Sequence, residues 1–474
     1  MNKTNVIVKN TAVIFAARII TSFLSFAATF YIARKFGVED YGKYALALSF
    51  VALFTWLGDL GVDMFLTREV AKDKKSLKSI LGNVLAMKMF LAGMLFGLVF
   101  LSVNLMGYPE LTRSLVYVAC ASMILTIYAN SFLSSFRAFE KMEYEGLSLI
   151  LAKLLSSVMV FALIFLKKSL LWMMWAQVMG SVLLFLSSLF FLRSKFTPPS
   201  LKIEFVLWRK LIAGGLPFAL TYFLVMVYFK IDSVMLSKMV GDGAVGAYNA
   251  AYNLVFAFMI ISSAIVSSLF PAIAFNYSKD KEYSQRILSG GLKYSLILSL
   301  PFALGGTFLA EKVIFFIYGP QYSASILALK MVIWVLPVLF VTNLLGNCLG
   351  AIYRQKQVLY VALVNALVNV ILNLILIPRY SLYGSAAATL ATELLGMGIL
   401  LRLISKNFEL QLGKTSMLVL AANLLPLPIL FVFSSFHILA IVCIFGGVYV
   451  LSLFVFGLIS FAELKKLRPA RLQV

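Results

Sequence analysis

Residues 11–33 read TAVIFAARIITSFLSFAATFYIA, a run whose only charge is Arg18 and which contains neither proline nor glycine. At about 1.5 Å of rise per residue such a helix crosses the roughly 30 Å of hydrocarbon in a bilayer with a little to spare. Lys3 and Lys9 precede the run, as basic residues precede the apolar core of a secretory leader. The run is too long for that core and carries an arginine, so it is expected to stay as the first membrane helix.

Outward from this stretch the same texture repeats to the end of the chain. Apolar blocks are expected to form helices at 11–33, 44–64, 80–105, 114–136, 147–166, 169–192, 211–237, 247–275, 289–309, 324–352, 358–377, 384–401, 416–433 and 438–461. Of the 474 residues, 62% are hydrophobic and 13% charged, whereas soluble domains hold about 45–50% apolar residues. A membrane β-barrel would show alternating segments of about ten residues instead. The reading is an all-α integral membrane protein of about fourteen transmembrane helices.

The formal net charge of +22 does not call for nucleic acid, because no soluble segment is long enough to carry a basic surface. It is topological. When successive loops are assigned to alternate sides, one side receives clusters such as Arg68, Lys72, Lys74, Lys75 and Lys78, then Arg193, Lys195, Lys202, Arg209 and Lys210, and finally Lys465, Lys466, Arg468 and Arg471. Arg34, Lys35, Lys43, Arg113, Lys167, Lys168, Lys238, Lys312 and Arg379 fall on the other. Basic residues favour the first side by about three to one, which makes that side the cytoplasm and puts both termini there, in a multi-pass protein of the cell membrane. Cys120, Cys348 and Cys443 are scattered in apolar segments and His437 is the lone histidine, so neither a disulfide framework nor a metal site is expected. No phosphate-binding glycine loop and no room for a catalytic domain are found, and neither enzymatic activity nor a cofactor is expected.

An internal repeat organises the helices. Gly37, Gly42, Tyr44, Ala47, Val51 and Phe54 recur at a constant offset as Gly241, Gly246, Tyr248, Ala251, Val255 and Phe258. Six helices separate the copies, an even number, so both keep the same orientation. Two six-helix lobes in a pseudo-two-fold arrangement are expected, 1–193 and 211–405, joined by a cytoplasmic linker at 194–210. Two additional helices and a cytoplasmic tail follow at 406–474, and the substrate path is expected between the lobes.

Ionisable side chains within spans are the functional candidates, since each costs at least about 2.5–3.5 kcal/mol at a helix centre unless it meets water or a partner. They are Arg18, Lys88, Lys153, Lys230, Asp232, Lys330 and Glu393, with cations in the majority. Arg18 lies about a third of the way into its helix, and a guanidinium grips phosphate through two parallel hydrogen bonds; snorkelling or internal pairing is the alternative. Lys88 and Lys153 are expected to snorkel from helix ends. Asn365, Asn369 and Asn373 fall on one helix face, as do Asn249 and Asn253, either lining a path for sugar hydroxyls or joining helices to one another. Gly214, Gly215 and Pro217 are expected to open the seventh helix, and Pro271, Pro301 and Pro337 to interrupt the eighth, ninth and tenth.

Three stretches also resemble a known family. They are Ala33, Arg34, Gly37, Glu39, Tyr41, Gly42 and Tyr44 with Gly58, Asp59, Gly61, Arg68 and Glu69; Gly215, Leu216 and Pro217 through Ile231 and Asp232 to Gly246, Tyr248, Ala251 and Pro271; and Asn373, Leu376, Ile377, Pro378, Gly384, Ala386 and Ala387. Together they resemble the polysaccharide-biosynthesis, O-antigen-type flippases of the multidrug/oligosaccharidyl-lipid/polysaccharide exporter superfamily. The resemblance implies translocation of an isoprenoid (pyro)phosphate-linked oligosaccharide to the outer leaflet by alternating access through a cationic central cavity. Arg18, assisted by Lys230, would meet the pyrophosphate and Asn249, Asn253, Asn365 and Asn369 the sugar, while Asp232 and Glu393 are candidate carriers of a coupling ion. Its partners would be the lipid-linked oligosaccharide, membrane lipids and glycan-assembly proteins. A multidrug cation antiporter of the same superfamily and a non-transporting scaffold for glycan assembly are the competing readings.

Overall fold

The computed structural model describes residues 3–196, 202–409, 413–432 and 436–459. Within them the chain forms α1 (Lys3–Ala52), α2 (Thr55–Asp59), α3 (Val62–Lys72), α4 (Leu77–Leu105), α5 (Glu110–Ala138) and α6 (Met142–Phe165). Next come α7 (Leu170–Lys195), α8 (Phe205–Met239), α9 (Asp242–Ala257), α10 (Met259–Asn276), α11 (Lys281–Ile317) and α12 (Ala324–Val332). The last six are α13 (Val335–Ala351), α14 (Gln355–Tyr380), α15 (Leu382–Ser405), α16 (Gly413–Leu424), α17 (Leu427–Val432) and α18 (Ile438–Val455). No strand occurs among the described residues. Parts of three expected segments, residues 197–201 of the linker, 433 of the thirteenth helix and 460–461 of the last, lie outside the described residues, as do Lys465, Lys466, Arg468 and Arg471 in the tail.

Among the described residues, twelve helical stretches are long and apolar enough to span a bilayer, and Met417–Leu430 is a shorter apolar one. The first stretch, Ala12–Ala52, counts twice. Straight, the 50 residues of α1 would extend about 75 Å, more than double the hydrocarbon thickness. Gly37 divides them with φ 78° and ψ −179°, a conformation that belongs to glycine. With that division and the short helix, the chain is an all-α, multi-pass membrane protein with the fourteen spans read from the sequence.

Helix interruptions do not fall where the prolines predict. α10 runs through Pro271 and α11 through Pro301, while Pro337 sits in the first turn of α13, where no helical N–H partner is lost. The breaks occur instead at Phe258 and at Ile333–Trp334. Gly214, Gly215 and Pro217 lie inside α8 rather than at its start. The expected second helix, 44–64, is itself broken after Ala52 and again at Leu60–Gly61.

The chain groups into two compact units, Met1–Asn249 with Asn369–Leu382, and Ala250–Val368 with Tyr383–Val474. In the first, Leu66, Leu81, Leu133 and Phe136 anchor a core among α3, α4 and α5. Arg137 fastens the α5–α6 turn by a forked pair with Glu145, Nε to the carboxylate at 2.9 and 3.0 Å and Nη2 at 2.6 Å. Asn83 accepts from the Glu204 N–H at 2.8 Å, tying the segment before α8 to α4. In the second unit, Leu288, Leu345, Leu349, Ile404 and Phe408 form the core of α10, α11, α13 and α15. There α18 joins α11 through Tyr449, whose hydroxyl donates to the Ile297 carbonyl at 2.8 Å.

Apolar burial gives helices little reason to associate in lipid, so close packing at small residues carries the contact. The repeat supplies the tightest example. A Cβ on Gly42 would overlap the Asp242 carbonyl, and one on Gly246 would overlap that of Val38. The offset that carries Gly42 to Gly246 also carries Val38 to Asp242, so the contact is self-complementary: each copy presents the same glycine to the same carbonyl of the other.

Candidate functional site

Two buried polar clusters stand out in the first unit. One is built where the second membrane segment breaks. α2 ends at Asp59; Leu60 (φ 47°) and Gly61 (φ 72°) turn left-handed, and α3 resumes with Asp63 in its first turn. An acid in a helix's first turn is favoured by the unpaired N–H groups there. Opposite stands Lys88, mid-way along the 29-residue α4 and fully buried. Its Nζ lies 2.8 Å from Asp59 Oδ1 and 2.8 Å from Asp63 Oδ1, and it donates to the Ile127 carbonyl at 3.0 Å. The contacts to Asp63 and to the Ile127 carbonyl are hydrogen bonds; the one to Asp59 is an ion pair, and Asp59 Oδ1 accepts no hydrogen bond. Ser131 donates a further hydrogen bond to Asp63 Oδ1 at 2.7 Å.

This corrects the expectation that Lys88 snorkels. It sits too far from either end of α4 for its head to reach water, and two carboxylates satisfy it in place. It also corrects the census of membrane charges, which omitted Asp59 and Asp63. The available signal was their four-residue spacing about Gly61, which puts two acids on one side of a glycine break in an apolar segment.

The second cluster surrounds Asp232 on α8, which is 2% exposed. The Tyr248 hydroxyl donates to Oδ2 at 2.8 Å and Asn373 Nδ2 donates to Oδ1 at 2.7 Å. The same amide nitrogen donates to Asn369 Oδ1 at 3.0 Å. Asn369 Nδ2 and Asn373 Oδ1 are buried without a hydrogen-bond partner. Two of the three asparagines on the α14 face thus share one carboxylate site. Asn365 belongs to the second unit, where Gly396 makes room for its amide.

The other candidates are dispersed. Arg18 is exposed, and no ion pair or side-chain hydrogen bond engages it among the described residues. Lys230 and Lys153 are half-buried, and Lys330 is exposed. Asn249 is buried and donates to Ser233 Oγ at 2.9 Å and to the Val245 carbonyl at 3.0 Å. Asn253 is half-buried, and Glu393, on α15, is buried. No group of three His, Cys, Asp or Glu side chains suited to a metal ion occurs among the described residues.

Apolar spans, a repeat that meets itself at glycine, and charges set inside the membrane define a polytopic membrane protein. Over residues 7–277 the chain matches the family model described as polysaccharide biosynthesis protein, and over 217–375 the MatE model. The chain belongs to the polysaccharide biosynthesis protein family. It is 24% identical over 409 residues to a probable flippase, AglR, of Haloferax volcanii, covering 83% of each chain. It is 22% identical to a putative O-antigen transporter of Shigella dysenteriae, over 77% of this chain and 91% of that one. Among solved structures, the lipid II flippase MurJ in an inward closed conformation superposes with a TM-score of 0.76 at 19% identity, covering 95% of this chain and 99% of that one. An inward-facing multidrug resistance MATE transporter follows at 0.66 and 15% identity, covering 81% and 95%. At these identities the structures attest the fold.

Proposed function

We propose that this protein is a flippase that carries an isoprenoid (pyro)phosphate-linked oligosaccharide from the cytoplasmic to the outer leaflet for glycan biosynthesis. It works by alternating access through a cationic central cavity, with both termini in the cytoplasm. The observation that carries the reading is Arg18, an exposed arginine within a membrane helix that no carboxylate neutralises among the described residues, in a family whose relatives are named as flippases and glycan transporters.

A pyrophosphate and a string of sugar hydroxyls cannot cross hydrocarbon unaided, because each unsatisfied polar group costs several kcal/mol there. A polar passage removes that cost while the isoprenoid tail stays in lipid. Arg18 grips the pyrophosphate and Lys230 assists; Asn249, Asn253, Asn365 and Asn369 offer amides to the sugar. Asp232 and Glu393, both buried, are the carboxylates proposed to take a coupling ion. The membrane potential adds about 2.3 kcal/mol per moving charge per 100 mV. The two-lobe organisation, 1–193 and 211–405 with two further helices, supplies the alternation, and glycan-assembly proteins are the expected neighbours.

The MatE match over 217–375 favours a second reading, a multidrug cation antiporter. Reconstitution decides. Vesicles holding the protein and a labelled lipid-linked oligosaccharide in the inner leaflet should expose the label to an external lectin, and Arg18→Ala should abolish that exposure. Uptake of a fluorescent organic cation with no movement of the glycolipid would support the antiporter instead.

A further inference from the structure

The Lys88 cluster has no part in the substrate path just described, and its charge does not balance. Two carboxylates and one ammonium leave one negative charge in excess if both acids are ionised. Burying an unpaired charge in apolar surroundings is costly, and the group takes up a proton instead. Both Oδ1 atoms lie 2.8 Å from the same nitrogen, so they are no more than twice that distance apart, and like charges so close disfavour double ionisation. Lys88 carries a single positive charge and balances only one of the two carboxylates.

We propose that Asp59 and Asp63 share one exchangeable proton beside Lys88 and that this proton couples transport to the pH gradient. The proposal rests on the transporter reading and adds a coupling site distinct from Asp232 and Glu393. A metal ion does not fit, because the ammonium already occupies the place between the carboxylates. The side chains offer a graded path: Asp59 is 28% exposed, Asp63 13% and Lys88 0%. A proton delivered by hydronium forms an O–H bond on Asp59; that bond breaks as an O–H forms on Asp63, and the proton passes to water when the Asp63 O–H breaks.

The helix break gives the proton something to move. Leu60 is a non-glycine residue held at positive φ, a strained conformation, and it separates the two acids. The adjoining Gly61 packs backbone to backbone against Gly215 of α8, with no room for a Cβ on either. With both acids ionised, the α2 end and the α3 start are both drawn to Lys88. Protonating one acid removes half of that pull and lets the break open, and α8 is the helix that feels it.

The other polar and titratable groups facing the pair are few. α5 contributes Ser131, Tyr128 and Arg137, and α8 contributes Tyr222. Arg137 is held by Glu145, and the two tyrosines stay neutral across the physiological range, so the acids and Lys88 set the charge of the site.

Infrared difference spectroscopy of the purified protein, stepped from alkaline to acid pH, tests the site without any substrate. A protonated-carboxyl band should grow in the wild type, persist in Asp232→Asn and Glu393→Gln, and vanish in Asp63→Asn or Asp59→Asn, whichever folds. A wild-type spectrum with no such band, or a band that survives in both pair variants, overturns the site. The vesicle assay tests the coupling. An imposed pH gradient should accelerate lipid-linked oligosaccharide exposure in the wild type, and Asp63→Asn should fall to its own rate without a gradient. A variant that keeps the acceleration overturns the coupling, as does a wild type that translocates without responding to the gradient. A wild type that moves no glycolipid at all while the band behaves as expected refutes the flippase reading and leaves the proton site standing.

Discussion

Asp63, half-buried, and Asp232, buried, are carboxylates of the same compact unit, yet they are kept in opposite ways. Asp63 shares an ammonium with Asp59 and takes a serine hydroxyl besides, so its charge is met by a charge. Asp232 accepts hydrogen bonds from a tyrosine hydroxyl and an amide, both neutral donors. The repeat sharpens the contrast, since Tyr248 and its counterpart Tyr44 make unlike bonds: Tyr248 donates to a carboxylate, whereas Tyr44 accepts from the neutral Gln177 at 3.2 Å. Both copies make the same helix contact at Gly42 and Gly246, while their tyrosines meet different polar partners. A cluster with an ammonium between its carboxylates is a lock that a proton can loosen; Asp232 is held at close range by neutral donors.

Removing the cation from the first cluster is the harshest test. Lys88→Met strands two acids in apolar surroundings and should cost about 3–5 kcal/mol, read as a sharp fall in the thermal midpoint in detergent. Lys88→Met combined with Asp63→Asn should recover part of that loss; no recovery would mean that charge pairing is not what Lys88 provides. Next in size, Tyr248→Phe takes one of the donors from Asp232 and should cost about 1.5–3 kcal/mol, the range for a hydrogen bond to a charged group. Tyr44→Phe, its repeat mate, removes only a neutral interhelical bond and should cost about 0.6 kcal/mol. Equal costs at the two tyrosines would erase the contrast drawn here. Arg18→Ala should move the midpoint least, by under about 0.5 kcal/mol, because the side chain is exposed and unpaired among the described residues, while glycolipid exposure in vesicles is lost.

The membrane architecture was legible along the chain. Span length and apolarity are local properties, and the helix limits that differ do so at breaks set by left-handed residues and by packing rather than by proline. The repeat was legible for the same reason, and one of its two glycine pairs, Gly42 and Gly246, makes the close contact. Reading the site was less successful where depth mattered. Lys88 looked peripheral when its helix was expected to begin at residue 80, yet α4 starts at Leu77 and extends well past the lysine on both sides. Asp59 and Asp63 were passed over because a continuous second helix gave no reason to see a site in them; the break at Leu60–Gly61 supplies it. The asparagine stripe was correctly placed on one face of α14, but that its end would serve Asp232 could not be read from α14 alone.

What the sequence determined unaided is the solvent: hydrocarbon demands long apolar helices, and a chain that spells them out must span it. Which charges within those helices would meet was decided only in three dimensions, because a pairing such as Lys88 with Asp59 and Asp63 depends on the depth and rotation of separate helices. Those are fixed by small-residue packing and by a backbone break, and neither leaves a periodic trace in the chain.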